Sequence, residues 1–198
     1  MRKTKLFFLA SALTVLVVIA VWPGQAAAFG SKEKSPQERL ADNKRQAVKQ
    51  YNDGVKHMKK ARRKAEAADS LFAYNYRATS DAKAREEYRK AVKNFTRAIE
   101  YDSTLAEAFN NLGYCYRKLG DLKKSLEAYS QAIALKSDFA QAYEYRGEAY
   151  LAMGDLAKAT RDHDTLKRLK SPYADTLARA IELFRLTEIK NRLQPENH

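Results

Sequence analysis

The chain has 198 residues, with 37 Lys+Arg against 24 Asp+Glu and a single cysteine. That length bounds it to one modest domain, and one cysteine excludes an internal disulfide frame, so its stability has to come from packing. The formal net charge of +13 favours contact with something anionic: phosphate-bearing lipid, an acidic polymer or an acidic protein face.

The first segment is short and basic, with Arg2, Lys3 and Lys5, and is followed by an uncharged apolar run from Leu6 to Trp22. Pro23 and Gly24 break the run, and Ala26, Ala27 and Ala28 supply small residues. This is the order of a secretory signal peptide over 1–28, with cleavage after Ala28. The run is also close to the length of a membrane span, so an uncleaved N-terminal anchor is the alternative. The expectation is an exported, periplasmic protein with a linker over 29–35. Without the three N-terminal cations it still carries 34 basic against 24 acidic residues, a net +10. No cysteine follows the apolar run to take a lipid anchor of bacterial type.

From Pro36 onward the apolar residues fall three and four apart. Leu40, Val48, Tyr51, Val55 and Met58 mark one stripe, which predicts a long first helix over about 36–67. A second long helix is expected over about 80–101. A connector holding Phe72, Tyr74 and Tyr76 lies between them. Together they make a stretched helical hairpin over 36–105.

The chain then writes one pattern twice. Phe109 and Tyr143, Gly113 and Gly147, Tyr116 and Tyr150, Gly120 and Gly154, and Asp121 and Asp155 each stand 34 positions apart. A fixed period of this size marks stacked supersecondary units, here 106–139 and 140–173. Gly113 and Gly147 fall in helix interiors, where glycine costs roughly 1 kcal/mol against alanine. The same cost met twice at one position implies that a neighbouring helix comes close there. Gly120 and Gly154 suit helix ends, and Asp121 and Asp155 suit the N-caps that follow. Thr104 with Glu107, and Asp138 with Gln141, have the spacing of capping boxes. Ser171-Pro172 opens a last helix over 172–192. Leu177, Ile181, Phe184 and Ile189 give it a sealing face, and Arg179, Glu182, Arg185 and Lys190 a solvent face. The tail is 193–198.

Phe109, Leu112, Gly113 and Tyr116, with Tyr129 and Ala132 after them, resemble the tetratricopeptide repeat pattern. Tyr143, Gly147, Tyr150 and Ala159 repeat it, with Arg146 in place of the usual Leu and His163 in place of the second aromatic. Ala91, Phe95 and Ala98 match the second helix of a further unit. The resemblance implies an all-α, right-handed solenoid with an extended first hairpin and a C-terminal capping helix. It also implies that peptides or protein segments bind on the concave side. By position in the unit, the groove residues are then Glu107, Asn110, Tyr114, Arg117 and Lys118 in one repeat, and Gln141, Glu144, Glu148 and Leu151 in the next. One subset of the family clamps C-terminal carboxylates. Asn111 matches one clamp position, but Gln141 and Tyr145 stand where that mode requires cations.

No catalytic constellation emerges. His57, His163 and His198 have no metal-ligand spacing, so neither metal nor cofactor is expected. His163 sits at the packing position that Tyr129 holds one unit earlier, and Cys115 reads as a buried thiol. A second candidate surface is the acid-free run of Lys56, Lys59, Lys60, Arg62, Arg63 and Lys64, suited to an anionic membrane surface or polymer. Nucleic acid is not expected, because neither stacking aromatics nor a reading helix accompanies the run. The sequence therefore points to a non-enzymatic adaptor or scaffold that holds another envelope protein or peptide segment. An electrostatic binder of anionic lipid or polymer is the alternative, and an accessory subunit of an enzyme complex a third reading.

Overall fold

The computed structural model describes residues 34–68 and 74–193. The expected signal peptide, most of the 29–35 linker, Phe72 and the tail beyond Leu193 lie outside the described residues. Within them the chain forms seven helices and no strand: α1 Pro36–Ala68, α2 Tyr74–Tyr101, α3 Ala106–Leu119, α4 Leu122–Leu135, α5 Ala140–Ala152, α6 Leu156–Arg168 and α7 Tyr173–Leu193. Three antiparallel hairpins, α1/α2, α3/α4 and α5/α6, stack in chain order, and α7 packs on the last. No helix among the described residues is long and apolar enough to cross a membrane.

The two short hairpins turn by the same chemistry. Gly120 and Gly154 adopt φ of 87° and 79°, a left-handed conformation open to glycine without a Cβ penalty. Asp121 and Asp155 then accept hydrogen bonds from the backbone N–H of Lys124 and Lys158, at 3.2 and 3.0 Å, and so cap α4 and α6.

The entries to α3 and α5 differ from the capping boxes expected. The N-cap positions are Leu105 and Phe139, neither with a side-chain cap. Thr104 is spent elsewhere: its backbone N–H and hydroxyl both donate to Asp102 Oδ1, at 3.0 and 2.6 Å. Helix α2 also begins at Tyr74, so Tyr74 and Tyr76 belong to the helix and not to a connector.

Three interior glycines make the hairpins nest. A Cβ placed on Gly113 would come within 2.7 Å of the Tyr129 ring, and one on Gly54 within 2.7 Å of the Phe95 ring. Both rings are fully buried. Phe95 lies 41 positions after Gly54, against 16 from Gly113 to Tyr129. The first hairpin is therefore the same nested unit with 25 residues added around its turn. At Gly147 the neighbour is instead Leu177 of α7, at 2.5 Å. His163, at the position of Tyr129 one unit on, is only partly buried, and α7 fills the space that its smaller ring leaves.

Two apolar clusters result. One gathers Tyr88, Ala91, Phe95, Leu112 and Cys115 between α1, α2 and α3. The other gathers Leu151, Leu166, Leu177 and Ile181 between α5, α6 and α7. In α5, Arg146 takes the place of the consensus leucine and is answered by a charge on α6. Its guanidinium donates to Asp162 at 2.9 Å from Nε and 2.6 Å from Nη2.

Helix α7 is 21 residues long, while α5 and α6 have 13 each. Its last turns border a cavity of about 410 Å³, in which Phe184, Glu188, Ile189 and Arg192 face Gly154 and Leu156. Ile189, expected on the sealing face, is exposed, as are Leu183, Leu186 and Leu193, so the outer face is not a purely polar one.

The Arg146–Asp162 pair makes a direct prediction, since removing one partner of a buried pair strands a charge. Asp162→Ala should lower the unfolding free energy by about 3 kcal/mol in urea titration. Adding Arg146→Leu, which restores the repeat's usual apolar residue, should recover most of that loss.

Candidate functional site

The first helices of the hairpins, α1, α3 and α5, line one side of the stack. A cavity of about 100 Å³ is bordered by Met58 and Arg62 of α1, Asn111 and Tyr114 of α3, and Gln141 and Tyr145 of α5. Next to it a cavity of about 220 Å³ is bordered by Val48, Tyr51, Leu105 and Glu107. Between the two, Asn111 Nδ2 donates to the Tyr51 hydroxyl at 3.2 Å. Every side chain at these cavities comes from a first helix or from the turn that leads into one. The groove is therefore a direct product of the hairpin order.

Its floor is aromatic. Tyr114 meets Tyr88 edge-on at 6.2 Å and Tyr145 at 5.5 Å, and Tyr145 meets Tyr129 at 6.0 Å. The Arg117 guanidinium lies 5.6 Å from the Tyr114 ring centre and 5.5 Å from that of Tyr145. It is held there by Glu148 at 2.8 Å. Cation–π contact with both rings and a carboxylate partner fix one long side chain in place, so Arg117 joins α3 to α5.

Apart from Arg117 and the buried Glu144, the sequence-derived groove residues separate into three groups. Glu107, Tyr114, Gln141 and Glu148 keep accessible surface, and Lys118 is exposed with its ammonium 5.6 Å from the Tyr114 ring. Asn110 is 1% exposed and donates to Gln141 Oε1 at 3.3 Å, which makes it a brace between α3 and α5. Leu151 belongs to the second apolar cluster and faces the core. Gln141 also donates to the Tyr145 hydroxyl at 3.3 Å, so its amide is oriented from both ends. Sequence position alone did not select Tyr51, Met58 or Tyr145 for the groove. The three-four apolar stripe of α1 was the available signal for the first two.

Glu144 is a buried carboxylate at the groove. Burial first, and the neighbouring Glu148 carboxylate second, push its pKa up to about 7 against the pull of Arg117. Glu87 of α2 is the opposite case. Burial pushes it upward, but hydrogen bonds from His57, Lys60 and Lys64 outweigh that and hold it at about 2. The contacts are 2.7 Å to His57, 3.1 Å to Lys60 and 3.2 Å to Lys64.

This divides the basic run of α1. Lys60 and Lys64 turn to Glu87, Arg62 turns to the groove, and Lys56, Lys59 and Arg63 are exposed. His163 sits 3.8 Å from Asp164, and Cys115 is fully buried with its thiol pKa raised by that burial. Among the described residues no cluster of His, Cys, Asp and Glu is placed to hold a metal ion.

A family model described as TPR repeat matches residues 83–120 and again 113–154. No curated protein matches the chain. Among solved structures, the first TPR of Spaghetti (RPAP3), bound to the HSP90 peptide SRMEEVD, is 19% identical with a TM-score of 0.55. The match covers 71% of this chain and 93% of that one. The second TPR of Spaghetti (RPAP3), bound to the same peptide, is 23% identical with a TM-score of 0.50, covering 65% of this chain and 95% of that one.

The raised Glu144 pKa gives a signed prediction. Between its ordinary value of 4.5 and about 7 the folded chain holds a proton that the unfolded chain has released. This group's contribution to stability therefore falls as pH rises through that window and is flat above it. Glu144→Gln should remove that part of the slope in urea unfolding measured over roughly pH 5 to 8. Identical slopes for the two proteins would contradict the assignment.

Proposed function

The chain is a tetratricopeptide-repeat protein, matched as such over residues 83–154, and from that premise we propose that it is a non-enzymatic adaptor. It holds a protein or peptide segment in the groove formed by α1, α3 and α5. The observation that carries this reading is the pair of adjoining cavities with a braced aromatic floor. Tyr51, Met58, Tyr114 and Tyr145 offer apolar surface, while Gln141 and Asn111 offer hydrogen-bonded, oriented polar groups and Arg62 a cation at its edge. Mostly apolar concave sites with a few placed polar groups are what ligand recognition needs. The structural relatives bound to HSP90 peptides support a peptide-holding role for such a stack.

The C-terminal carboxylate clamp is a poor fit for this groove. Gln141 and Tyr145 are neutral and hydrogen-bonded to each other, and the nearby Arg117 is already paired with Glu148. The positions that a carboxylate clamp would use are thus taken by neutral or paired groups, and the partner is recognised along its length through its side chains, with Arg62 as the cation at the cavity edge. The N-terminal sequence pattern supports placing this adaptor in the cell envelope, with an envelope protein as partner.

A second reading rests on Lys56, Lys59 and Arg63, which stay exposed on α1 and would meet an anionic lipid or polymer surface. Such contact would weaken steeply with salt, whereas groove binding through apolar surface would not.

Site-specific photo-crosslinking distinguishes these. A crosslinking residue at Gln141 in the groove should capture a discrete partner in cells, and one at the exposed Glu127 of α4 should not. Capture from Glu127 alone, or equally from both positions, would refute the groove reading.

A further inference from the structure

The end of a solenoid needs a polar outer face to stay soluble, and on α7 that face is interrupted by apolar residues. Leu183, Leu186, Ile189 and Leu193 are 67%, 57%, 54% and 77% exposed. They form a continuous apolar strip about 15 Å long, at 1.5 Å rise per residue. Leu183, Leu186 and Leu193 lie on the side away from Leu177 and Ile181, which face the core, and Ile189 flanks them at the rim of a cavity shared with Leu156 and Phe184. We propose that this face is a dimer interface, occupied by α7 of a second copy of this chain running antiparallel to the first.

The order of residues about Leu186 carries the argument. Three residues to either side stand Leu183 and Ile189; four to either side stand Glu182 and Lys190; seven to either side stand Arg179 and Leu193. All of these are exposed. In an antiparallel pair with its two-fold axis at Leu186, each residue lies level with the one equally far on the other side in the second copy. Leu186 then packs on itself and Leu183 packs on Ile189 of the second copy. Glu182 meets Lys190 of the second copy, and each of these last two contacts occurs twice, as two-fold symmetry requires. Arg179 lays its methylenes along Leu193.

The alternatives fit the same residues less well. A parallel pair would set Glu182 against Glu182 and Lys190 against Lys190, which repel. An anionic lipid surface would have to seat the Glu182 carboxylate beside the inserted face, against headgroups of its own charge. Only the antiparallel second copy matches apolar to apolar and acid to base in one register.

The test is the mass of the full chain in solution by sedimentation equilibrium, with circular dichroism to show that each variant keeps its helices. The chain should weigh twice its monomer mass at micromolar concentration, and Leu186→Glu should return it to monomer. Glu182→Lys and Lys190→Glu should each weaken association at least tenfold, and the two together should restore it. Leu186→Cys should form a disulfide-linked dimer under a mild oxidant, with buried Cys115 giving no such product in the unaltered chain. A monomer at all concentrations, association insensitive to Leu186→Glu, failure of the double charge swap to recover, or a monomer that instead sediments with anionic vesicles would each overturn the proposal.

Discussion

The absence of a side chain at three helix-interior positions sets the geometry of the stack. An α-carbon without a Cβ lets a bulky neighbour press against the backbone, and at Gly54, Gly113 and Gly147 that neighbour is Phe95, Tyr129 or Leu177. Each contact draws two helices together and buries a large apolar group. A buried group of that size contributes about 1.5–3 kcal/mol, against roughly 1 kcal/mol of helix propensity forgone at the glycine. The nest is thus a net gain: at Gly54 and Gly113 it closes the two helices of one hairpin on each other, and at Gly147 it seats α7 on α5.

The groove follows from the order in which these hairpins stack. Because each hairpin presents its first helix to the same side, α1, α3 and α5 line up there, and Tyr114 of α3 meets Tyr145 of α5 in a tilted ring contact. Arg117 is spent on structure: with its guanidinium between two rings and against Glu148, it couples the middle and last hairpins. Glu87 plays a similar part between α1 and α2, drawing His57, Lys60 and Lys64 inward. A strongly basic chain therefore directs part of its charge to joints between its own helices.

Much of the fold was legible because glycine, tyrosine and aspartate recur at one period, and each type has a physical reason to be where it is. The compensations were not legible. Arg146 departs from the repeat's usual leucine because Asp162 stands across from it, and nothing local in the sequence pairs two residues so far apart along the chain. Thr104 had the spacing of a cap, but Asp102 lies closer and took its hydroxyl. For the groove, period gives the direction in which a side chain points and not the depth at which it sits. Asn110 is covered by Gln141 of the next hairpin, and Leu151 is drawn into the apolar cluster with Leu166 and Leu177. His163 shows the same limit in reverse. Its ring is too small for the nest at Gly147, and a helix outside the repeat supplies Leu177.

The nesting contact is tested most directly in the first hairpin, where 25 added residues separate the partners from the regular repeat. A double-mutant cycle in urea unfolding would join Gly54→Ala with Phe95→Leu. Gly54→Ala should destabilise the unaltered chain by about 1–3 kcal/mol through overpacking. It should cost little, or even stabilise, in the Phe95→Leu background, where the smaller side chain leaves room for the methyl group. Strictly additive losses would show that the two residues do not share the contact, and would remove the basis for treating that hairpin as a unit of the same stack.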